Sequence, residues 1–588
     1  MGGDGTELGS RRRWVVYGVV LLACVAIGLF VWQAVTASRS LLEARSQAER
    51  VQREIRAGDF DAATRSLDRL GAQAARAHDA TDGLLWDIGK HVPFVGANLG
   101  AVQTSAAVID TATRQNAPVA LELTQALQEG RFRPVHGRID IGTVAKLTPQ
   151  VTRAAGSIEQ ASVDLDEVDP DDLVFPFNDL VGDLQRQVDE ARSAAAATAT
   201  AFELLPEMLG KDGPRSYLLM IQNPAELRST GGLPGSLAVL HADHGRVTMG
   251  WQGSAGDLNG FTGPVVKLPA DTEAQYGPTV ATDFRDTNFT PDFPEAAQVA
   301  RAMLARAQGV RVDGVVSIDP IALGALMVGT GPITAGHGLT LTADNVASTL
   351  LNRTYQAISD PVAQDNFFET VARQVFDAVM SGKGSQEQAV KGLATGAGEH
   401  RVLLWSARPE EQARLSGKAV AGELGSDRGT APEIGVYLND SVAGKVDYYL
   451  QFRSAASAVY CRKGGAQDLR ATIALTSTVP KDVSGLSAWV VGDGSYAPRG
   501  TIAVNMRIYG PYGGEITGLK VDGQTHSVTS DQHHGRQVAL LPVSLKPGQQ
   551  MTVTADVRTA PGQDGDGVFS FTPGMLPAPN GVKIKSAC

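Results

Sequence analysis

The chain has 588 residues, 43% of them hydrophobic and 20% charged, which is too long for one core and too apolar for general disorder. A net charge of −11 leaves no basic footprint and argues against a nucleic-acid partner. Aromatic residues, at 6%, are too sparse for a broad sugar-stacking platform.

Arg11, Arg12 and Arg13 precede a run from Trp14 to Trp32 that carries no charge. At about 1.5 Å per residue such a run crosses roughly 30 Å of hydrocarbon. The sequence therefore predicts a cytoplasmic tail over 1–13 and a transmembrane helix over 14–35. The arginines stay inside by the positive-inside rule, so the rest of a single-pass cell-membrane protein is extracytoplasmic. The small residues Ala34 to Ser38 leave signal-peptide cleavage as the alternative. Cys24 lies in the apolar run, so Cys461 and Cys588 are the two cysteines outside it. In an oxidising compartment they are candidates for a disulfide stapling the last domain, the alternative being two unrelated thiols. There is no CxxC, HExxH or Cys/His cluster, so no zinc site is expected.

Residues 36–205 are rich in Ala, Leu, Arg, Gln and Glu at helical spacing, with breaks at Gly58 and Pro93. They predict an extracytoplasmic helical stalk or bundle in which HVPFVGANLG forms a turn. From 206 to 415 strands (YLLMIQ, SLAVLHAD, VDGVVSIDP) alternate with helices (PEAAQVARAMLARAQG, TADNVASTLLNRTYQ), and LLWSARPEEQARLSG reads as a helical tail. That alternation predicts an α/β domain. Residues 430–588 carry short β-rich runs between Gly, Pro, Ser and Asp turns, the pattern of a β-sandwich.

Two polar clusters interrupt the α/β segment. The first is Asn223-Pro-Ala-Glu-Leu-Arg228-Ser-Thr-Gly-Gly232, and the second is Phe284-Arg-Asp-Thr-Asn-Phe-Thr-Pro-Asp-Phe293. Loops between rigid elements are where α/β proteins gather ligand-binding groups. The charges of Glu226, Arg228, Arg285, Asp286 and Asp292, with Asn288, suggest a pocket for an anionic, phosphate-bearing ligand; the competing reading is loop-bracing ion pairs. Asn288 also fits a helix N-cap or turn residue, and Gly231-Gly232 a turn needing positive φ. No Walker A, GxGxxG or GxSxG motif is present. His241 with His244, and His533 with His534, read as surface turn residues.

QNPAELRSTGG, FRDTNFTPDFP, VDGVVSIDP, YLNDSVAGKVDYYL and Trp86 with Pro93-Phe-Val-Gly96 resemble a family of membrane-anchored bacterial proteins known as a domain of unknown function. More distantly, the order of elements from 217 to 380 resembles the LytR-CpsA-Psr fold, whose members transfer lipid-pyrophosphate-linked glycans to peptidoglycan. That resemblance implies an envelope protein handling such glycans, as a glycan phosphotransferase acting on a cell-wall acceptor; the alternative is a non-catalytic scaffold or polysaccharide-binding protein. It implies Asn223, Glu226, Arg228, Arg285, Asn288 and Arg353 as ligand-binding residues, with the arginines cradling phosphate oxygens. It implies catalytic roles for Asp257, Asp286 and Asp292, which with Glu226 would hold Mg²⁺ or deprotonate an attacking hydroxyl. Membrane lipid, lipid-linked glycan and cell-wall polymer are the expected partners. The chain departs from that pattern where Asn223 replaces the usual Asp, and Asp257 lacks a preceding arginine.

Overall fold

The computed structural model describes residues 50–588, apart from Gln52, Arg56, Pro93, Phe94, Pro176, 426–428, Ser530 and Pro579. The expected membrane span, its arginines and Cys24 lie outside the described residues. Among the described residues no helix is long and apolar enough to cross a membrane. The chain divides into two compact units, one of residues up to 132 with 142–205, the other of 133–141 with 206–588.

The first unit is helical. Its main helices are α1 (Phe60–Thr81), α2 (Gly96–Thr111), α3 (Ala117–Gln128), α4 (Ile141–Asp166) and α5 (Phe177–Met208), the last running into the second unit. Asp59 starts α1 by accepting from the Ala62 amide at 2.9 Å, satisfying one of the orphan donors of a helix N-terminus. Ala63, Leu67, Leu70, Ala74 and Ala77 are buried at the three- and four-residue spacing that defines one helix face. The expected turn is shorter than HVPFVGANLG. Gly96 already opens α2, and only glycine fits there, since a Cβ would lie 2.1 Å from the Lys90 carbonyl oxygen.

The second unit begins with a mixed sheet of β1 (Arg215–Asn223), β2 (Leu233–Asp243), β3 (Arg246–Ser254), β4 (Gly314–Ile318) and β7 (Val402–Ser406), with a separate hairpin of β5 (Ile333–Gly336) and β6 (Leu339–Leu341). The order is β3-β2-β1-β4-β7. β1 pairs antiparallel with β2 and parallel with β4. The segment LLWS, expected as helix, is instead the edge strand β7, antiparallel to β4. Leu403 and Trp405 alternate inward, and that two-residue period outweighs the helix-forming residues after them. Helix α6 (Phe293–Gln308) covers this sheet, burying Phe293, Val299, Met303 and Leu304 with Leu218, Met220, Leu237 and Val315. Helix α7 (Pro361–Met380) begins a smaller core with Phe367, Val371 and Val375 against the β5–β6 hairpin.

The remaining strands are β8 (Glu433–Asp440), β9 (Leu450–Cys461), β10 (Gln467–Ser477), β11 (Ile502–Tyr512), β12 (Glu515–Val521), β13 (Gln524–His526), β14 (Asp531–His533), β15 (Arg536–Leu545), β16 (Gln550–Arg558), β17 (Gly567–Phe571) and β18 (Val582–Ile584). They form two sheets, β13-β12-β16-β10-β9 and β14-β15-β11-β8-β17-β18. One apolar core draws on both, with Ile434, Val436 and Leu438 from β8 beside Leu469, Ile473, Val553 and Val557. Inward residues alternate with exposed ones along β10, as a half-buried strand requires. Cys461 and Cys588 are joined by a disulfide that ties the chain's last residue to the end of β9.

Candidate functional site

The first polar cluster leaves β1 and returns into β2, and it is folded inward rather than open to solvent. Gln222, 3% exposed, is its anchor. Its amide donates to Ser317 Oγ at 2.5 Å, and its carbonyl oxygen accepts from the Gly232 amide at 2.8 Å. Asn288, fully buried, donates to Thr230 Oγ1 at 2.9 Å and to the Gly232 carbonyl at 2.8 Å. It therefore ties the two clusters together and caps no helix; the N-cap of α6 is Asp292. Gly231 has a φ of 138°, and a Cβ on Gly232 would meet the Asn223 carbonyl at 2.2 Å, so both glycines serve the turn.

Arg228 is 5% exposed, and each of its guanidinium nitrogens meets a protein acceptor. Nε donates to the Arg285 carbonyl at 3.1 Å, and Nη1 donates to the Leu227 carbonyl at 2.9 Å. Nη2 reaches Glu226 Oε1 at 3.4 Å and Asp286 Oδ1 at 3.8 Å. The cationic plane stacks over Phe289, 4.8 Å from the ring centre. Glu226 is shared with Lys445, which donates to Oε2 and lies 5.2 Å over the Tyr355 ring. Asn223 donates to the Tyr355 hydroxyl at 2.8 Å.

The groups facing this loop come from the YLNDSVAGKVDYYL segment. Asp447 accepts from the Leu227 amide at 3.0 Å, Asn439 accepts from the Ser229 amide at 2.9 Å, and the Asp440 amide donates to the Leu227 carbonyl at 2.9 Å. Leu227 itself is 1% exposed and sits in the core of the two β8–β18 sheets. The loop is thus a strut between the α/β layer and those sheets.

Burial sets the electrostatics. It pushes Glu226 up, but Lys445 and Arg228 outweigh it and the carboxyl stays below its usual range. Burial raises Asp286 against the pull of Arg228. It raises Asp447 to about 7, and Asp440, beside Asp447 and Glu226, well above the carboxylate range. Burial thus favours the protonated form at Asp440 and Asp447, while Glu226 is held ionised by Lys445, Arg228 and Arg285.

The other expected site residues have partners of their own. Arg285 is exposed and turns back on Asp283, donating from Nε at 2.9 Å. Arg353 is exposed on the helical turn before Tyr355. Asp257 accepts from the Ser254 amide at 2.7 Å, closing a capping box at the end of β3. Asp292 accepts from the Leu424 amide at 3.0 Å and faces Glu295 and His534. Arg228 is turned to Glu226 and Asp286 and Arg285 to Asp283, and among the described residues Asp257, Asp286, Asp292 and Glu226 do not form one group close enough to hold an ion together. Among the described residues, the His/Asp/Glu groups close enough to hold an ion are Asp271–His533–His534 and Asp292–Glu295–His534.

His533 is also not the surface turn residue expected: it is fully buried, with Tyr509 Oη 2.9 Å from Nδ1 and Thr272 Oγ1 3.0 Å from Nε2. Lys445, Asp440 and Asp447 were missed as members of the loop's network. Their signal was three charges at close spacing within a segment otherwise read as strand.

No curated protein and no solved structure matches the chain. Residues 212–355, which hold both polar clusters, match the family model described as a protein of unknown function (DUF4012).

Proposed function

We propose that this protein is a membrane-tethered, extracytoplasmic scaffold or polysaccharide-binding protein of the cell envelope, and that its Arg228 loop braces the fold instead of catalysing transfer. The observation that carries this reading is the burial of Arg228, each of whose three guanidinium nitrogens donates a hydrogen bond to the protein itself. A guanidinium that recognises a pyrophosphate needs its edge free for bidentate bonding. The charge-free run after Arg11–Arg13 supports the tether, and a disulfide between Cys461 and Cys588 suits an oxidising compartment.

A second reading, the handling of lipid-linked pyrophosphate glycans, is favoured by one feature. The Arg285 side chain is 55% exposed beside Asp283 and Asp286, a cation at the rim with two carboxyls near it. Binding of a polyprenyl pyrophosphate to the full chain in detergent, with and without Mg²⁺, separates the two. The scaffold reading predicts no saturable Mg²⁺-dependent binding. Mg²⁺-dependent binding that Arg285→Ala abolishes, with unchanged Tm, would move the chain to the glycan-transferring class.

A further inference from the structure

The seam between α6 and the β14–β15 hairpin holds a second cluster, independent of the Arg228 loop. Asp292 holds the N-cap position of α6 without a side-chain capping bond, and Glu295 lies in the first turn three residues later. His534 comes from the opposite side, in the hairpin turn between His533 and Arg536, with a φ of 50°. One donor atom from each of the three lies within 4.8 Å of the others, and His534 Nε2 is 4.0 Å from Glu295 Oε2.

Glu295 is 9% exposed, and only one of its oxygens is hydrogen-bonded. Oε2 accepts from Thr290 at 3.0 Å, while Oε1 is buried without a hydrogen-bond partner. Thr272 also faces this carboxyl, and its hydroxyl shares a 3.0 Å hydrogen bond with His533 Nε2. An orphaned carboxylate oxygen, deep in the protein and beside a second carboxyl, is costly unless a cation or proton meets it. The overlapping group of Asp271, His533 and His534 is a weaker candidate. Both ring nitrogens of His533 are engaged, and Asp271 already accepts from the His534 and Thr272 amides.

We propose that Asp292, Glu295 and His534 form a divalent-cation site for zinc, with manganese as the chemically nearest competitor. Two carboxylates and one imidazole suit these borderline cations better than Ca²⁺ or Mg²⁺, which prefer all-oxygen shells. Ligand bonds of about 2.1 Å place tetrahedral donors about 3.4 Å apart, so the three side chains need only draw together slightly. Three protein ligands leave a fourth position for water. Because the ligands come from α6 and from the β14–β15 hairpin, the ion would clip the α/β layer to the β8–β18 sheets. No short zinc motif marks it, since His534 lies over 230 residues from Asp292 and Glu295 in sequence.

The test uses untagged full-length protein in detergent, stripped with a chelator and then dialysed against zinc or manganese. The expected result is one tightly held ion per chain and a Tm raised by several degrees over the stripped protein. Glu295→Gln and His534→Gln should hold the ion at least about tenfold more weakly and lose the Tm rise. Asp257→Asn, outside the cluster, should keep both. Wild-type protein with no stoichiometric ion and the same Tm with and without metal would overturn the site. So would undiminished retention in folded Glu295→Gln. If His534→Gln fails to fold, the near-isosteric glutamine at 295 and the wild-type measurement still decide.

Discussion

At Asp447 one carboxyl oxygen accepts from the Leu227 amide, and the other is buried with no hydrogen-bond partner. Burial, reinforced by the charge of Glu226, lifts this group to about 7. The folded protein thus keeps a proton that the unfolded chain releases near pH 4. Below that pH the two states hold the proton alike and Asp447 costs no stability. As the pH rises toward 7 the unfolded chain binds fewer protons, and the folded state is progressively penalised. Asp447→Asn carries no such penalty. Its stability relative to wild type, from urea unfolding across pH 4–8, should therefore improve up to about pH 7 and then level off. A difference that stays constant with pH would contradict the buried, protonated state. His533, which burial drives down to about 3, acts oppositely in acid and is common to both proteins, so it cancels in the comparison.

Among the elements, the segment linking β1 to β2 decides how the polar clusters are understood. The β1 and β2 strands were legible because their apolar runs end in Asn, Pro and Gly. The fate of the loop was not. Glu226, Arg228 and Asp286 look the same in sequence whether they meet a phosphate or another domain, since both tasks need charges on a rigid frame. What distinguishes the cases is Leu227, an apolar residue between two charged ones that is buried 1% exposed in the β8–β18 core. The partner segment after β8 carries Lys445 and Asp447 over 200 residues away, a pairing that no local pattern encodes. Leu227→Ala should cost about 2–5 kcal/mol by opening a cavity in that core. Chemical denaturation should show it, together with weaker protection of β8. A loss under about 0.5 kcal/mol, typical of surface sites, would mean that the loop does not grip the sheets.

For the molecule as a whole, composition and texture foresaw a chain of several parts: a helical unit, an alternating α/β layer and a strand-rich end. The helices followed from apolar spacing, and LLWS was misjudged because helix-forming residues follow a strand only five residues long. The site was harder to foresee than the fold, because its contacts join residues distant in sequence. Hydrogen exchange at the amides of Leu227, Ser229 and Gly232 tests most directly whether the signature loop is a closed strut. Those amides donate to Asp447, Asn439 and Gln222 at 3.0, 2.9 and 2.8 Å. A strut predicts exchange as slow as in β8, unchanged by added polyprenyl pyrophosphate and Mg²⁺. Fast exchange that slows only when that ligand is added would show an open binding loop and contradict the scaffold reading.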